Sequence, residues 1–476
     1  MENNIAKTKI LATLGPSTDS IEKLGVLIDS GVDALRLNFS HGDYEYFEKV
    51  FKNIHEVCVS KSMPIPILMD LQGPKIRVGE LAVPEIEITT GDEIEITTES
   101  VIGTAERIST SYHLLAEDAD IGDKILIDDG LIMLEVARKT EKSVICKIMA
   151  GGTLKPRKGM NLPGMKLSTP SITEKDFNDL EFGLKHRIDF IALSFVRNAE
   201  DIIKLKNYLK EKGKSIPVIA KIEKPEAVDN FTDILHAADG IMVARGDLGV
   251  EMKPQEVPII QKSVIRQCKE VGKLVITATQ MLESMITNPV PTRAEASDVA
   301  NAVIDGTDVV MLSGETSVGK YPGRAVKVMN DILINTENHA NLTNPIKFDI
   351  PEDFIDNVFD ATGKAISTMS EQIKAKLIVA FSENGRQAAV ISKFRPRAKI
   401  IALSKKFEVL NRLNLYYGII PYYMEDTDGE EDCIKKALKI LEEKDLVKKG
   451  DLILFTAGDP AEGGQSRHWM RFVPVK

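Results

Sequence analysis

The stretches VIAKIEKPE (218–226) and GIMVARGDLGVE (240–251) decide the fold. Each begins as a β-branched, apolar run of the kind that forms a buried parallel strand. Each ends abruptly in charge: Lys221 and Glu223 in the first, Arg245 and Asp247 in the second. Neighbouring strands lie about 4.8 Å apart. If the two runs are adjacent, Glu223 and Asp247 converge on one point with Lys221 and Arg245 beside them. Buried charges of this kind are costly without compensation. A divalent ion and an anionic substrate would supply it; an ion-pair network among the four side chains is the purely structural alternative.

Working outward, short apolar runs alternate with helix-like periodicity on both sides. KTKILATLG (7–15), VDALRLNFS (32–40) and IPILMDLQG (65–73) come first. DFIALSFV (189–196), the two runs above, KLVITATQ (273–280) and TDVVMLSG (307–314) come later. Three strands and then five make eight βα units, which predicts a (β/α)8 TIM barrel over 1–73 and 167–340. Between them, over 74–166, the period switches to two, as in EIEITTGDEIEIT (85–97) and KILIDDGLIMLEV (124–136). Asp129-Gly130 is a hairpin signal. An inserted β-barrel, placed as a lid after the third strand, is expected. NHANLTNPIKFDIPED (338–353) reads as a linker. Beyond it KLIVAFS (376–382), KIIALS (399–404) and DLILFTAG (451–458) alternate with helices, and MRFVPV (470–475) reads as a final strand. A C-terminal α/β domain over 354–476 follows.

A chain of 476 residues exceeds one core, in keeping with this division. The net charge of −10 argues against nucleic-acid or anionic-membrane binding. No apolar run approaches a membrane span, and the first ten residues lack a signal-peptide core. The four cysteines have no CxxC spacing and read as reduced thiols of a cytoplasmic protein.

Chemistry in such a barrel belongs at the C-terminal strand ends, and the unusual polar residues fall there. They are Arg36, Asn38, Ser40 and His41 after strand two, Asp70 after three, and Ser194 and Arg197 after four. Thr279 and Gln280 follow strand seven, and Ser313 and Glu315 strand eight. A lone serine or histidine of this kind is usually a satisfied loop residue, but seven strand ends agree. Glu223 and Asp247 are hard oxygen donors without clustered His or Cys, which suits Mg²⁺ or Mn²⁺. Lys221 suits a developing oxyanion or a phosphoryl group in flight. Arg36 offers a planar fork for phosphate, and the turn at Gly246 and Asp247 offers amides for a carboxylate. Lys158 of the insert would close over the barrel mouth and exclude water. No GxxxxGK[ST] loop is present.

Ten segments resemble the pyruvate kinase family, in order along the chain. They include TLGPST (13–18), RLNFSHG (36–42), MDLQGPKIR (69–77), KGMNLPG (158–164), AKIEKPEAV (220–228) and the long run 291–322. The resemblance implies transfer of a phosphoryl group from phosphoenolpyruvate to ADP, giving pyruvate and ATP at the end of glycolysis. It implies that Glu223 and Asp247 hold Mg²⁺, that Lys221 stabilises the enolate and that Arg36 binds the phosphoryl group. Ser194, Gly246, Asp247 and Thr279 would contact substrate, with Ser313 and Glu315 in a proton relay behind Thr279. Asn38, His41, Arg77 and Lys158 would face the nucleotide. Asn38, Ser40, Asp70 and the Leu71 carbonyl match the family's monovalent-cation site. One family version of the following turn carries Glu and resembles K⁺-dependent members. This chain has Leu71, Gln72, Lys75 and Val78 of the other version, so K⁺ is not expected to be required. In the C-terminal domain Ser382, Asn384, Gly385 and Arg386 match an effector loop that has lost two hydroxyls, to Asn384 and Gln387. A homotetramer is implied by resemblance alone. Two rival readings are another metal-dependent barrel acting on phosphoenolpyruvate or pyruvate, and a catalytically silent scaffold. The second predicts broken catalytic positions, and Arg36, Lys221, Glu223, Asp247 and Thr279 are all in place.

Overall fold

The structure is a computed structural model and describes residues 5–339, 357–460 and 466–476. Eight parallel strands close into a barrel: Lys9–Thr13, Ala34–Asn38, Ile67–Asp70, Phe190–Leu193, Val218–Ile222, Gly240–Ala244, Leu274–Ala278 and Val309–Leu312. The fifth and sixth are neighbours, with Ile219 opposite Gly240 and Lys221 opposite Met242. The first and eighth pair to close the ring. Each strand is nearly all buried because helices cover the outside and side chains fill the inside. Leu11, Ala34, Leu68, Phe190, Ile219, Met242, Leu274 and Val309 share one interior cluster.

The insert is mostly β, with one short helix at Leu115–Asp118 that the period-two reading does not show. Six strands form one sheet, and Ile86–Ile88 pairs separately with Gly152–Leu154. The segment at Arg77 and Val78 bridges both edges of the six-stranded sheet, Arg77 to Gly159 and Val78 to Thr110. That chain, entering from the third barrel strand, closes the sheet on itself. Asp128, Asp129 and Gly130 take positive φ in the hairpin between Lys124–Ile127 and Ile132–Lys139, as the Asp-Gly step predicts.

The C-terminal domain is a five-stranded sheet. Its last two strands, Leu452–Pro460 and Ser466–Pro474, are antiparallel and the rest parallel. One strand, Ile419–Tyr423, is additional to the sequence reading. It contains Pro421, which is tolerated because this strand is an edge of the sheet. The domain docks under the barrel floor. Leu415 joins the barrel's interior cluster. Lys9, fully buried, donates to the Ile419 carbonyl at 2.8 Å and pairs with Asp33 at 3.2 Å. Arg395 pairs with Asp308 at 2.7 Å. The linker reading falls almost wholly on 340–356, outside the described residues. Among those described, no helix is long and apolar enough to cross a membrane.

Candidate active site

The site follows from strand periodicity. Side chains two apart on a strand share a face, so each inward row continues from the apolar floor to the mouth. Leu11 leads to Thr13, Ala34 to Arg36, Leu68 to Asp70, Ala192 to Ser194, Ile219 to Lys221 and then Glu223, and Met311 to Ser313. Register aligns them, with Thr13 opposite Arg36, and Asp70 between Asn38 and Ala192.

Lys221 is the centre. Its Nζ lies 2.8 Å from Glu223 Oε1, 2.7 Å from Ser194 Oγ and 3.4 Å from Asp70 Oδ1. Arg36 grips the other Asp70 oxygen, Nε at 2.7 Å and Nη2 at 2.6 Å, and gives Nη1 to Thr13 Oγ1 at 3.0 Å. A guanidinium has five N–H donors, so two remain for a further anion. Asp70 and Glu223 are 1% exposed, Lys221 8% and Arg36 9%. In such surroundings charge decides protonation. Burial alone would lower the Lys221 pKa; Asp70, Glu223 and Asp247 outweigh it and hold it above the ordinary lysine value. Burial would raise Asp70, but Lys221 and Arg36 carry it below the usual carboxylate range.

Glu223 behaves oppositely. Burial raises its pKa, Lys221 opposes, and the Asp247 charge raises it again. Glu223 Oε2 accepts from the Phe195 amide at 2.7 Å. Two mutually repelling carboxylates, one fully buried, suit a divalent cation that neutralises both, and they leave room for substrate oxygens. Arg245 does not join them, contrary to the sequence reading. It turns outward to Asp298 at 2.6 Å and to the Thr279 carbonyl at 2.7 Å, pinning the loop after strand seven. The short helix Arg245–Glu251 starts at once after the sixth strand. Its Gly246 amide, expected to be open to a ligand, donates to Thr279 Oγ1 at 2.7 Å. A Cβ at Gly246 would stand 3.3 Å from that oxygen, so glycine permits the approach.

Thr279 and Gln280 both take positive φ, 68° and 54°, and so does Phe195 at 54°. Non-glycine residues rarely do so, and such strain gathers at functional sites. Thr279 Oγ1 donates to the Ala278 carbonyl at 2.6 Å. Glu315 is fully buried, and its two oxygens accept from the Leu282 amide at 3.0 Å and the Ser313 amide at 2.7 Å. It therefore ties the seventh and eighth loops together. Ser313 Oγ is buried without a partner.

Lys75, Arg77 and Arg36 all act on His41, whose pKa falls through burial first and then these charges. Lys75 and Arg77 also line a cavity of about 190 Å³ between insert and barrel, together with Lys158, Asp247 and Arg197. Lys158 pairs with Asp128 at 2.8 Å. Arg197 donates to the Leu167 and Thr169 carbonyls at 2.5 and 2.7 Å, holding the irregular segment that returns from the insert. Asn38 Oδ1 accepts from the Ser40 amide at 3.1 Å. Ser194 Oγ donates to the Leu71 carbonyl at 2.7 Å.

Sequence reasoning missed Asp176. It caps the helix Glu174–Gly183 through a reciprocal box with Thr173 and accepts from the Gly73 amide at 3.0 Å. It thereby fixes the turn that carries Lys75. The capping pattern Thr173-x-x-Asp176 was visible, its long-range contact was not. Gly73 has φ +66°, and a Cβ there would meet the Phe195 ring at 2.8 Å. The pair Lys224–Glu251, Nζ to Oε1 at 2.7 Å and nearly fully buried, was also missed. In the C-terminal loop Ser382 Oγ accepts from the Gly385 amide and Asn384 Oδ1 from the Arg386 amide, each at 2.9 Å. The Arg386 guanidinium lies 4.1 Å from the centre of the Phe359 ring.

Residues 5–326 match the pyruvate kinase barrel domain, and residues 360–469 the pyruvate kinase alpha/beta domain. Over 468 residues the chain is 43% identical to the pyruvate kinase of Geobacillus stearothermophilus, covering 98% of this chain and 80% of that one. It is 42% identical over 464 residues to that of Bacillus licheniformis, covering 96% and 79%. The crystal structure of a pyruvate kinase from Cryptosporidium parvum superposes with a TM-score of 0.92 at 40% identity, over 99% of this chain and 96% of that chain. The chain belongs to the pyruvate kinase family of phosphotransferases.

Proposed function

We propose that this chain transfers the phosphoryl group of phosphoenolpyruvate to ADP, forming pyruvate and ATP, as the last step of glycolysis. The observation that supports it most is the Lys221 cluster. An ammonium held charged among Asp70, Glu223 and Ser194 sits beside a guanidinium with donors to spare. The bond from phosphorus to the enol oxygen breaks while one forms to an ADP oxygen. Lys221 stabilises negative charge on both the enolate and the transferring group, where such preorganised charge is most effective. The remaining Arg36 donors orient the phosphoryl group. Glu223 and Asp247 would hold Mg²⁺ or Mn²⁺, which supplies further charge neutralisation at the phosphoryl and enolate oxygens. Thr279 already gives its proton to Ala278, so it positions a water that protonates the enolate carbon, with Ser313 Oγ behind it. Glu315 acts by holding the two loops. Lys158, Arg77 and His41 face the nucleotide, and the insert keeps bulk water from the phosphoryl group.

The test is ADP-dependent pyruvate formation by purified protein with Mg²⁺. Formation clearly above a heat-killed control is expected. None at saturating metal and substrates overturns the reading.

Fructose 1,6-bisphosphate should activate weakly or not at all. The effector loop spends Ser382 and Asn384 on its own amides, and Glu383 adds negative charge beside them. A large fall in the apparent KM for phosphoenolpyruvate at micromolar bisphosphate would contradict this.

A further inference from the structure

Glu251 ends the helix Arg245–Glu251, four residues after Asp247. Positions i and i+4 share a helix face, and both residues line the same cavity. Glu251 Oε1 takes two donors, Lys224 Nζ at 2.7 Å and Asn161 Nδ2 at 3.1 Å. Lys224 directly follows Glu223. Asn161 belongs to the insert, three residues after Lys158, on a short strand that pairs with Leu126. One buried carboxylate therefore touches the neighbour of the first metal-site residue, belongs to the helix of the second, and touches the short strand Met160–Asn161 that follows the nucleotide-facing lysine. Its other oxygen, Oε2, is buried without a partner. Leaving a buried charged oxygen unpaired is costly, so packing alone does not account for a glutamate here.

We propose that Glu251 is a positioning residue that latches the inserted β domain to the barrel through Asn161, placing Lys158 over the site of Glu223 and Asp247. Lys224 pairs with the same carboxylate oxygen and so fixes its orientation. The inference rests on the phosphoryl-transfer reading only for the role of Lys158; the latch itself is a contact between domains. A merely structural glutamate would affect stability and every kinetic constant together. A latch on the insert should act on the nucleotide, whose contacts the insert supplies, and spare the substrate held by the barrel.

Asn161→Asp is the primary variant, since it sets a second carboxylate against Glu251 at unchanged volume. It should raise the KM for ADP about tenfold, the scale of a lost hydrogen bond to a charged group. Binding of phosphoenolpyruvate with Mn²⁺ should be unchanged, and amide exchange over 156–164 should speed up. Asn161→Asp combined with Glu251→Gln restores a donor–acceptor pair and keeps the net charge, and most of the ADP affinity should return. Asn161→Ser, which adds no charge, should change both readouts in the same direction at an unchanged melting temperature, and serves if the first variant fails to fold. The latch is refuted by exchange at the wild-type rate in both single variants, or by a double variant no better than Asn161→Asp. Absence of ADP-dependent pyruvate in the wild type would instead refute the phosphoryl-transfer reading, while the exchange rates still decide the latch.

Discussion

Lys221→Met is expected to lower kcat by about two to three orders of magnitude, or ~3–4 kcal/mol of transition-state stabilisation. Methionine keeps the apolar stem and removes only the charge. That charge is worth most while negative charge develops on the enolate and the transferring phosphoryl group, so the loss should fall on kcat rather than KM. The ground state is protected by its remaining contacts. Arg36 still neutralises Asp70 through Nε and Nη2, and Phe195 still donates to Glu223. Mn²⁺ binding, read by electron paramagnetic resonance, should persist in the variant. The side chain is buried, so thermal unfolding must be followed in parallel to show that the protein stays folded at the assay temperature. An effect confined to KM, with kcat unchanged, would exclude the proposed role.

Why Lys221 could be singled out from sequence, and other residues could not, has a physical basis. A buried parallel strand is apolar on both faces, so the first charge in it marks the place where the inward row reaches the mouth. That signal exposed Arg36, Asp70, Lys221 and Glu223, and the eightfold βα rhythm exposed the barrel. The C-terminal sheet was less legible at Ile419–Tyr423, where Pro421 reads as a strand breaker unless the edge position is known. Arg245 was misplaced for a different reason. It stands next to the site in sequence, but a helix begins at that residue and the side chain turns to Asp298, 53 residues away. The positive φ of Phe195, Thr279 and Gln280 leaves no mark in side-chain chemistry. Asp176 acts on Gly73 across 103 residues, and no local pattern records that. Period and charge are local properties; the closure of loops upon one another is not.

The second large effect concerns K⁺. Wild-type protein is expected to be substantially active in tetramethylammonium buffers, and Lys75→Glu is expected to need K⁺. Of the four residues that the family resemblance assigns to a monovalent cation, three have their oxygens engaged within the chain. Asp70 is shared by Arg36 and Lys221, the Leu71 carbonyl accepts from Ser194, and Asn38 Oδ1 accepts from the Ser40 amide. Two phosphorylated anions meeting at one site would nevertheless need a positive charge, and Lys75 is expected to provide it. Its turn is held by Asp176 through the Gly73 amide, and its ammonium helps depress the His41 pKa, as do Arg77 and Arg36. At ~4 Å and an effective dielectric of ~20, a unit charge is worth ~4 kcal/mol, so a second cation beside it should be largely redundant. The side chain is exposed, which screens it, and the comparison therefore belongs at fixed ionic strength with only the cation exchanged. Glutamate at this position removes the fixed positive charge and supplies a carboxylate that attracts K⁺. Its activity should collapse in tetramethylammonium and recover as K⁺ is titrated in. A wild type that is nearly inactive until K⁺ is added would show that Lys75 does not replace the ion.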